Sequence, residues 1–108
     1  MIRNNCRRFL SSVSFRNQIA IVKIDNPPVN VINRPILEFL KETFDELKLK
    51  DNVDGIILTA DRNGVFSAGL DLLEFGNAGE EEGRQYWKMV QDMWLSLYMC
   101  PLPGMFRL

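Results

Sequence analysis

A chain of 108 residues, 46% hydrophobic and 25% charged, has the composition of an ordinary globular protein, enough for one small domain or part of a larger one. Without a histidine it can build neither a histidine-based triad nor a histidine-ligated zinc site, and Cys6 and Cys100 make no CxxC pair, which argues against a zinc ribbon or a disulfide framework. The formal net charge of −1 hides an asymmetry: Arg3, Arg7, Arg8, Arg16 and Lys23 precede every acid, and all 14 acids follow them.

The acid-free, Ser-containing N-terminus has the make-up of a mitochondrial transit peptide, with Met1, Ile2, Phe9, Leu10, Val13 and Phe15 offering an apolar face between the arginines. Residues 1–17 are therefore expected to form a disordered targeting arm. A secretory signal would need an apolar run of about 7–15 residues, and a membrane span one of about 20; the sequence has neither. Nor do five bases on an arm make a basic surface with stacking groups, so no nucleic-acid partner is expected.

The first element follows at residues 18–24, where β-branched residues in partial alternation predict a strand that Asp25-Asn26-Pro27-Pro28 ends. Asn33 then stands as a helix N-cap with Pro35 in the first turn, where a missing N–H costs nothing. Leu37, Leu40, Phe44 and Leu47 recur at spacings of three and four and predict one buried stripe. Glu38, Lys41, Glu42, Asp45, Glu46 and Lys48 fill the solvated face. Gly55-Ile56-Ile57-Leu58-Thr59 is a short continuous apolar run, the pattern of a strand buried on both faces. A turn marked by Asn63-Gly64 follows, and Val65-Phe66 is expected to resume the strand.

Ser67-Ala68-Gly69-Leu70-Asp71-Leu72 is the stretch most suggestive of chemistry. Gly69 can take backbone angles closed to other residues, and the small side chains leave the amides open to a ligand. Amides at a helix start carry partial positive charge, which suits an oxyanion. The plain alternative is a strand-to-helix connection with no ligand. Asn77-Ala78-Gly79 breaks the chain again, and Glu80-Glu81-Glu82 suits the start of a second long helix. On it Tyr86, Val90, Met93 or Trp94, and Leu97 form the inward stripe, until Pro101 and Pro103 stop it. Strand, helix, buried strand and helix make an α/β pattern.

Three segments in this order, Asn26-Pro27-Pro28-Val29-Asn30, Phe66-Ser67-Ala68-Gly69-Leu70-Asp71-Leu72 and the Trp/Tyr-rich run from Tyr86 to Tyr98, resemble the crotonase superfamily. The resemblance covers residues 18–103 and leans towards the mitochondrial 3,2-trans-enoyl-CoA isomerase branch. It implies the N-terminal part of a ββα spiral, an α/β fold in which each turn rests on the next. The implied reaction is a Δ3-Δ2-enoyl-CoA isomerisation of fatty-acid β-oxidation in the mitochondrial matrix. A 3-enoyl thioester loses a proton from C2, and the enolate regains one at C4. Coenzyme A is then part of the substrate, and no separate cofactor or metal is implied.

Carried over residue by residue, the Ala68 N–H is the first of two oxyanion donors, and Gly69, Leu70, Asp71 and Leu72 line the thioester path. Pro28, Val29 and Asn30 match the segment that touches the nucleotide part of coenzyme A. Asp71 is expected to hold the turn, and Glu74 to be surface. In the family a second amide and a catalytic glutamate come after the Trp/Tyr helix, and complete chains commonly form homotrimers. Residues 104–108 depart from that pattern, and no glutamate of this sequence matches the base. The 108 residues are thus expected to be inactive alone. The alternatives are a 2-enoyl-CoA hydratase fragment, or a non-catalytic fragment that binds acyl-CoA or docks on other subunits.

Overall fold

The structure, a computed structural model, describes residues 11–61, 64–73 and 79–102 together with the backbone of 104–106. Expectations for residues 1–10, Asn63, Glu74, Asn77, Ala78, Pro103 and 107–108 lie outside the described residues. The chain runs β1 (Ser12–Arg16), β2 (Ile19–Ile24), β3 (Val31–Ile32), α1 (Arg34–Leu47), β4 (Gly55–Ala60), β5 (Gly69–Leu70), α2 (Glu80–Tyr98) and β6 (Gly104–Phe106).

Four strands make the main sheet in the order β1-β2-β4-β6. β1 and β2 are an antiparallel hairpin turned at Asn17, whose φ of 58° lies in the left-handed region that asparagine tolerates. β2, β4 and β6 run parallel, with Val22 opposite Leu58 and Ile57 opposite Met105. A parallel pair needs a crossover, and α1 supplies it between β2 and β4.

α1 forms where the sequence places it. The Asn33 side chain accepts from the Ile36 N–H at 3.2 Å, and Pro35 lies in the first turn. Ile36, Leu37, Leu40, Phe44 and Leu47 are all buried. All but Leu37 meet Ala20, Val22 and Ile24 of β2 and Ile56 and Leu58 of β4 in one apolar cluster. Along β2 the buried residues alternate, so one face of the strand meets this cluster. Met93, Leu97, Cys100 and Leu102 close the cluster from the side of α2.

Four expectations need correction. The arm read as disordered over 1–17 contains β1: Val13 is buried, and the strand pairs residue by residue with β2. A basic segment can be a strand because only one of its faces meets the core, and Arg16 sits on solvent. Gly104–Phe106, read as a tail outside the family pattern, is a strand of the main sheet. On the second face of β4 Gly55 and Thr59 are buried but Ile57 between them is only half-buried, so that face is open at Ile57. Val65 and Phe66 do not resume a strand; Phe66 packs against the core from an irregular segment instead.

The two helices differ in what they hide. The inward face of α1 is wholly covered. α2 buries Tyr86 and Ser96 but leaves Trp87, Trp94, Leu95 and Tyr98 exposed, as is Met99 at its C-cap, with Trp94 and Tyr98 stacked at 6.0 Å. Met93, and not Trp94, therefore takes the inward position. Among the described residues no helix is long and apolar enough to cross a membrane.

Candidate active site

β3 and β5 form a second, parallel sheet only two residues long, with Val31 opposite Gly69 and Ile32 opposite Leu70. This small pairing brings the 26–32 segment against the 64–73 segment, so two of the three sequence motifs meet in space. Pro27, Pro28 and Val29 are exposed beside it, as a segment that touches a ligand would be. Leu72 is exposed, Gly69, Leu70 and Asp71 are half-buried, and Ala68 faces solvent.

Gly69 has φ +92°, a conformation that residues with a Cβ rarely adopt. A Cβ built there would meet nothing within 4 Å, so glycine is required by the backbone angle and not by crowding. The turn at Gly69 decides where the amides point. The Ala68 N–H donates to the Val29 carbonyl at 2.9 Å and the Asp71 N–H to the Ile32 carbonyl at 3.3 Å, so both face the 26–32 segment. The Gly69 N–H donates to Ser67 Oγ at 3.0 Å. Successive amides of a strand point to opposite sides. The Leu70 N–H, next to Asp71, is accordingly directed away from β3.

Two sequence assignments change as a result. Ala68 was expected to offer the oxyanion donor, but its N–H already has a carbonyl partner at good length, and a donor so engaged is not free for a ligand. With the Ala68 amide engaged by Val29, the reversal at Gly69 leaves the amide two residues on, at Leu70, directed away from the 26–32 segment. Asn30 was expected to touch coenzyme A, but it is fully buried with φ 56°. Its Oδ1 accepts from the Asn26 N–H at 2.7 Å, and its Nδ2 donates to the carbonyls of Phe66 at 3.1 Å and Ile24 at 3.4 Å. The side chain is used up inside the protein, tying the end of β2 to the 64–73 segment.

Asp71 behaves as the turn-holder expected of it: Oδ1 accepts from the Leu73 N–H at 3.0 Å. Tyr86 is the residue whose role sequence reasoning missed. It reads as one member of a helix stripe, yet its buried hydroxyl accepts from the Asp71 N–H at 3.0 Å and donates to the Ile32 carbonyl. The Arg34 guanidinium lies 6.0 Å from the centre of the Tyr86 ring and donates to the Glu82 carbonyl at 2.9 Å, joining the start of α1 to that of α2. The available signal was chemical: a tyrosine on an inward helical face must find a partner for its hydroxyl.

The sequence profile of the enoyl-CoA hydratase/isomerase family matches residues 14–105. The mitochondrial enoyl-CoA delta isomerase 1 of Rattus norvegicus is 44% identical over 87 residues, covering 78% of this chain and 29% of the relative. Its Homo sapiens counterpart is 43% identical over 84 residues, covering 78% of this chain and 28% of the relative. The chain thus spans less than a third of the length of these relatives. Among solved structures, human mitochondrial delta3-delta2-enoyl-CoA isomerase superposes with a TM-score of 0.84 at 38% identity, over 89% of this chain and 38% of that one. The main sheet with its crossover helix and the short β3–β5 pairing are therefore part of a known fold, and the chain belongs to the enoyl-CoA hydratase/isomerase family.

Proposed function

We propose that the protein carrying these residues is a Δ3-Δ2-enoyl-CoA isomerase of fatty-acid β-oxidation, acting in the mitochondrial matrix. The observation that carries the chemistry is the turn at Gly69, where the Ala68 and Asp71 amides are engaged with the 26–32 segment and the Leu70 N–H between them is directed away from it. Loss of a C2 proton from a 3-enoyl thioester puts negative charge on the thioester oxygen. A main-chain donor fixed beforehand stabilises that charge without reorganising in the transition state, and losing one such donor typically costs about 10²–10³ in rate. Pro28 and Val29, exposed beside the donor, are placed to meet the coenzyme A part of the substrate. Gly69, Leu70 and Leu72 line its thioester end. Identity above 40% to isomerases that carry "mitochondrial" in their names supports both the reaction and the compartment.

Asp71, the acid within the turn, has Oδ1 committed to Leu73, so it serves the backbone. A second oxyanion donor and the base are expected from parts of the protein beyond these elements, and the 108 residues by themselves are expected to bind acyl-CoA weakly and not to turn it over.

The test is to incubate the longest natural chain containing these residues with a 3-enoyl-CoA and follow formation of the conjugated 2-enoyl thioester. Formation of the 2-enoyl product with no net addition of water to the substrate is expected, and a parallel incubation with a 2-enoyl-CoA should give no 3-hydroxyacyl-CoA. A 3-hydroxyacyl-CoA product from 2-enoyl-CoA, with no double-bond shift, would replace this reading with a hydratase.

A further inference from the structure

The β3–β5 pairing is too short to hold itself in place. Two residues on each strand supply few ladder bonds, and both strands are only half-buried. Two side-chain hydroxyls extend it, one at each end, and they do so in the same way. Ser67 Oγ donates to the Asn30 carbonyl just before β3 at 2.6 Å and accepts from the Gly69 N–H at 3.0 Å. The Tyr86 hydroxyl donates to the Ile32 carbonyl at the end of β3 and accepts from the Asp71 N–H just after β5 at 3.0 Å. Each hydroxyl stands as both donor and acceptor between the two segments, and the Leu70 N–H lies between the two bridges.

We propose that Ser67 and Tyr86 are positioning residues that clamp the two flanks of β5 and so fix the direction of the Leu70 N–H. The inference rests on the isomerase reading for its catalytic consequence. Three observations favour a clamp over ordinary core polarity. Tyr86 is the largest fully buried side chain of the described residues, so its hydroxyl sits away from water, where a hydrogen bond is stronger and a lost one dearer. It comes from α2, far along the chain, and Arg34 secures it from α1, so the clamp ties the donor to both helices. Ser67 lies within the turn and makes both of its bonds across or within the pairing, holding the chain as it enters the left-handed Gly69.

A donor that drifts by about 1 Å loses about a hundredfold in rate while still binding substrate, because the enolate, and not the ground-state carbonyl, needs it in place. The clamp is tested in the longest natural chain with Tyr86→Phe, which keeps the ring and removes the hydroxyl, and Ser67→Ala. Leu47→Ala serves as a control, since it weakens the core at the far end of α1 without touching the pairing. Each variant is scored per folded molecule for kcat and KM with a 3-enoyl-CoA, and for amide exchange of residues 67–72. Tyr86→Phe and Ser67→Ala are each expected to lower kcat about tenfold or more, to leave KM within about twofold, and to speed exchange at Leu70 and Asp71. Leu47→Ala should leave kcat and KM unchanged per folded molecule and speed exchange only through global opening, not selectively at Leu70 and Asp71. Should Tyr86→Phe not fold, Ser67→Ala alone carries the decision. An unchanged kcat in the folded hydroxyl-less variants, or an equal fall in Leu47→Ala, overturns the clamp while leaving the isomerase reading intact. Absence of turnover by the unsubstituted protein removes the isomerase reading, and the clamp as a device of that reaction goes with it.

Discussion

The main sheet with α1 and the β3–β5 pairing are built on opposite physics. The first is held by apolar burial: Val22, Ile24, Ile36, Leu40, Phe44, Leu47 and Leu58 share one continuous cluster. The second is held by polar bridges through Asn30, Ser67 and Tyr86, with the two strands themselves contributing only two residues each. Hydrophobic contact is strong but non-directional, so it fixes that the chain folds more firmly than it fixes where one N–H points. Hydrogen bonds are modest in net energy and strict in geometry. The comparison assigns stability to the first region and aim to the second.

The assignment breaks first, if it breaks, at Phe44. Replacing this fully buried ring by alanine is expected to cost about 3–5 kcal/mol in urea unfolding, with turnover per folded molecule unchanged. An altered kcat in the folded fraction would mean that the core also aims the site.

Asn30→Ala sharpens the contrast from the other side. It frees the Asn26 amide and the Phe66 and Ile24 carbonyls, and each buried group so orphaned costs about 1–3 kcal/mol, partly recovered if water enters. Thermal unfolding should show the loss. Unlike Phe44→Ala, this variant should also lower kcat, because the 64–73 segment loses its anchor to β2.

Asn33 stands between the regions, directly after β3 and capping α1. Asn33→Ala is expected to cost about 1 kcal/mol, the usual value of an N-cap bond, read as a lower urea midpoint at unchanged slope.

The smallest effect belongs to the rim of α1. Lys41 Nζ reaches Asp45 Oδ2 at 2.8 Å, and this hydrogen bond above all holds the Asp45 carboxyl below its ordinary range and the lysine above its own. A depressed carboxylate stabilises the fold above its unfolded pKa and loses that contribution as pH falls through the folded one. A raised lysine contributes below its unfolded pKa and loses it as pH rises through the folded one. Both side chains are about a third or more exposed, so the pair is worth only about 0.3–0.5 kcal/mol. Lys41→Ala should show that small cost at neutral pH and none once the carboxyl is protonated; a cost that persists in acid would trace to lost packing of the lysine stem.

The same division explains what the sequence made legible. The apolar region could be read because its rule is periodic. Asn33, Pro35 and the Leu37-Leu40-Phe44-Leu47 stripe mark α1 through neighbours within one helix. β1 escaped because its signal is weak: Val13 is buried, whereas Phe15 is exposed at 49%, so the hydrophobic residues of the strand do not mark one buried face. The site segment could be found, since Gly69 among small residues marks an unusual turn. Which amide it opens could not, because that follows from a left-handed φ and from carbonyls supplied by Val29 and Ile32, nearly forty residues earlier in the chain. Asn30 failed for the same reason. A short polar residue after two prolines looks like surface, and only its distant partner at Phe66 shows it to be an internal tie.

In the proposed reaction the Leu70 N–H, and not that of Ala68, meets the developing oxyanion. Replacing each amide in turn by an ester, through semisynthesis of the longest natural chain, removes one N–H and leaves the side chain in place. The Leu70 ester is expected to keep its unfolding midpoint and to lose about 10²–10³ in kcat with a 3-enoyl-CoA. The Ala68 ester should lose stability through its missing bond to Val29 and keep much more of its turnover. A Leu70 ester that turns over as fast as the parent, or a larger catalytic loss at Ala68, would contradict the account.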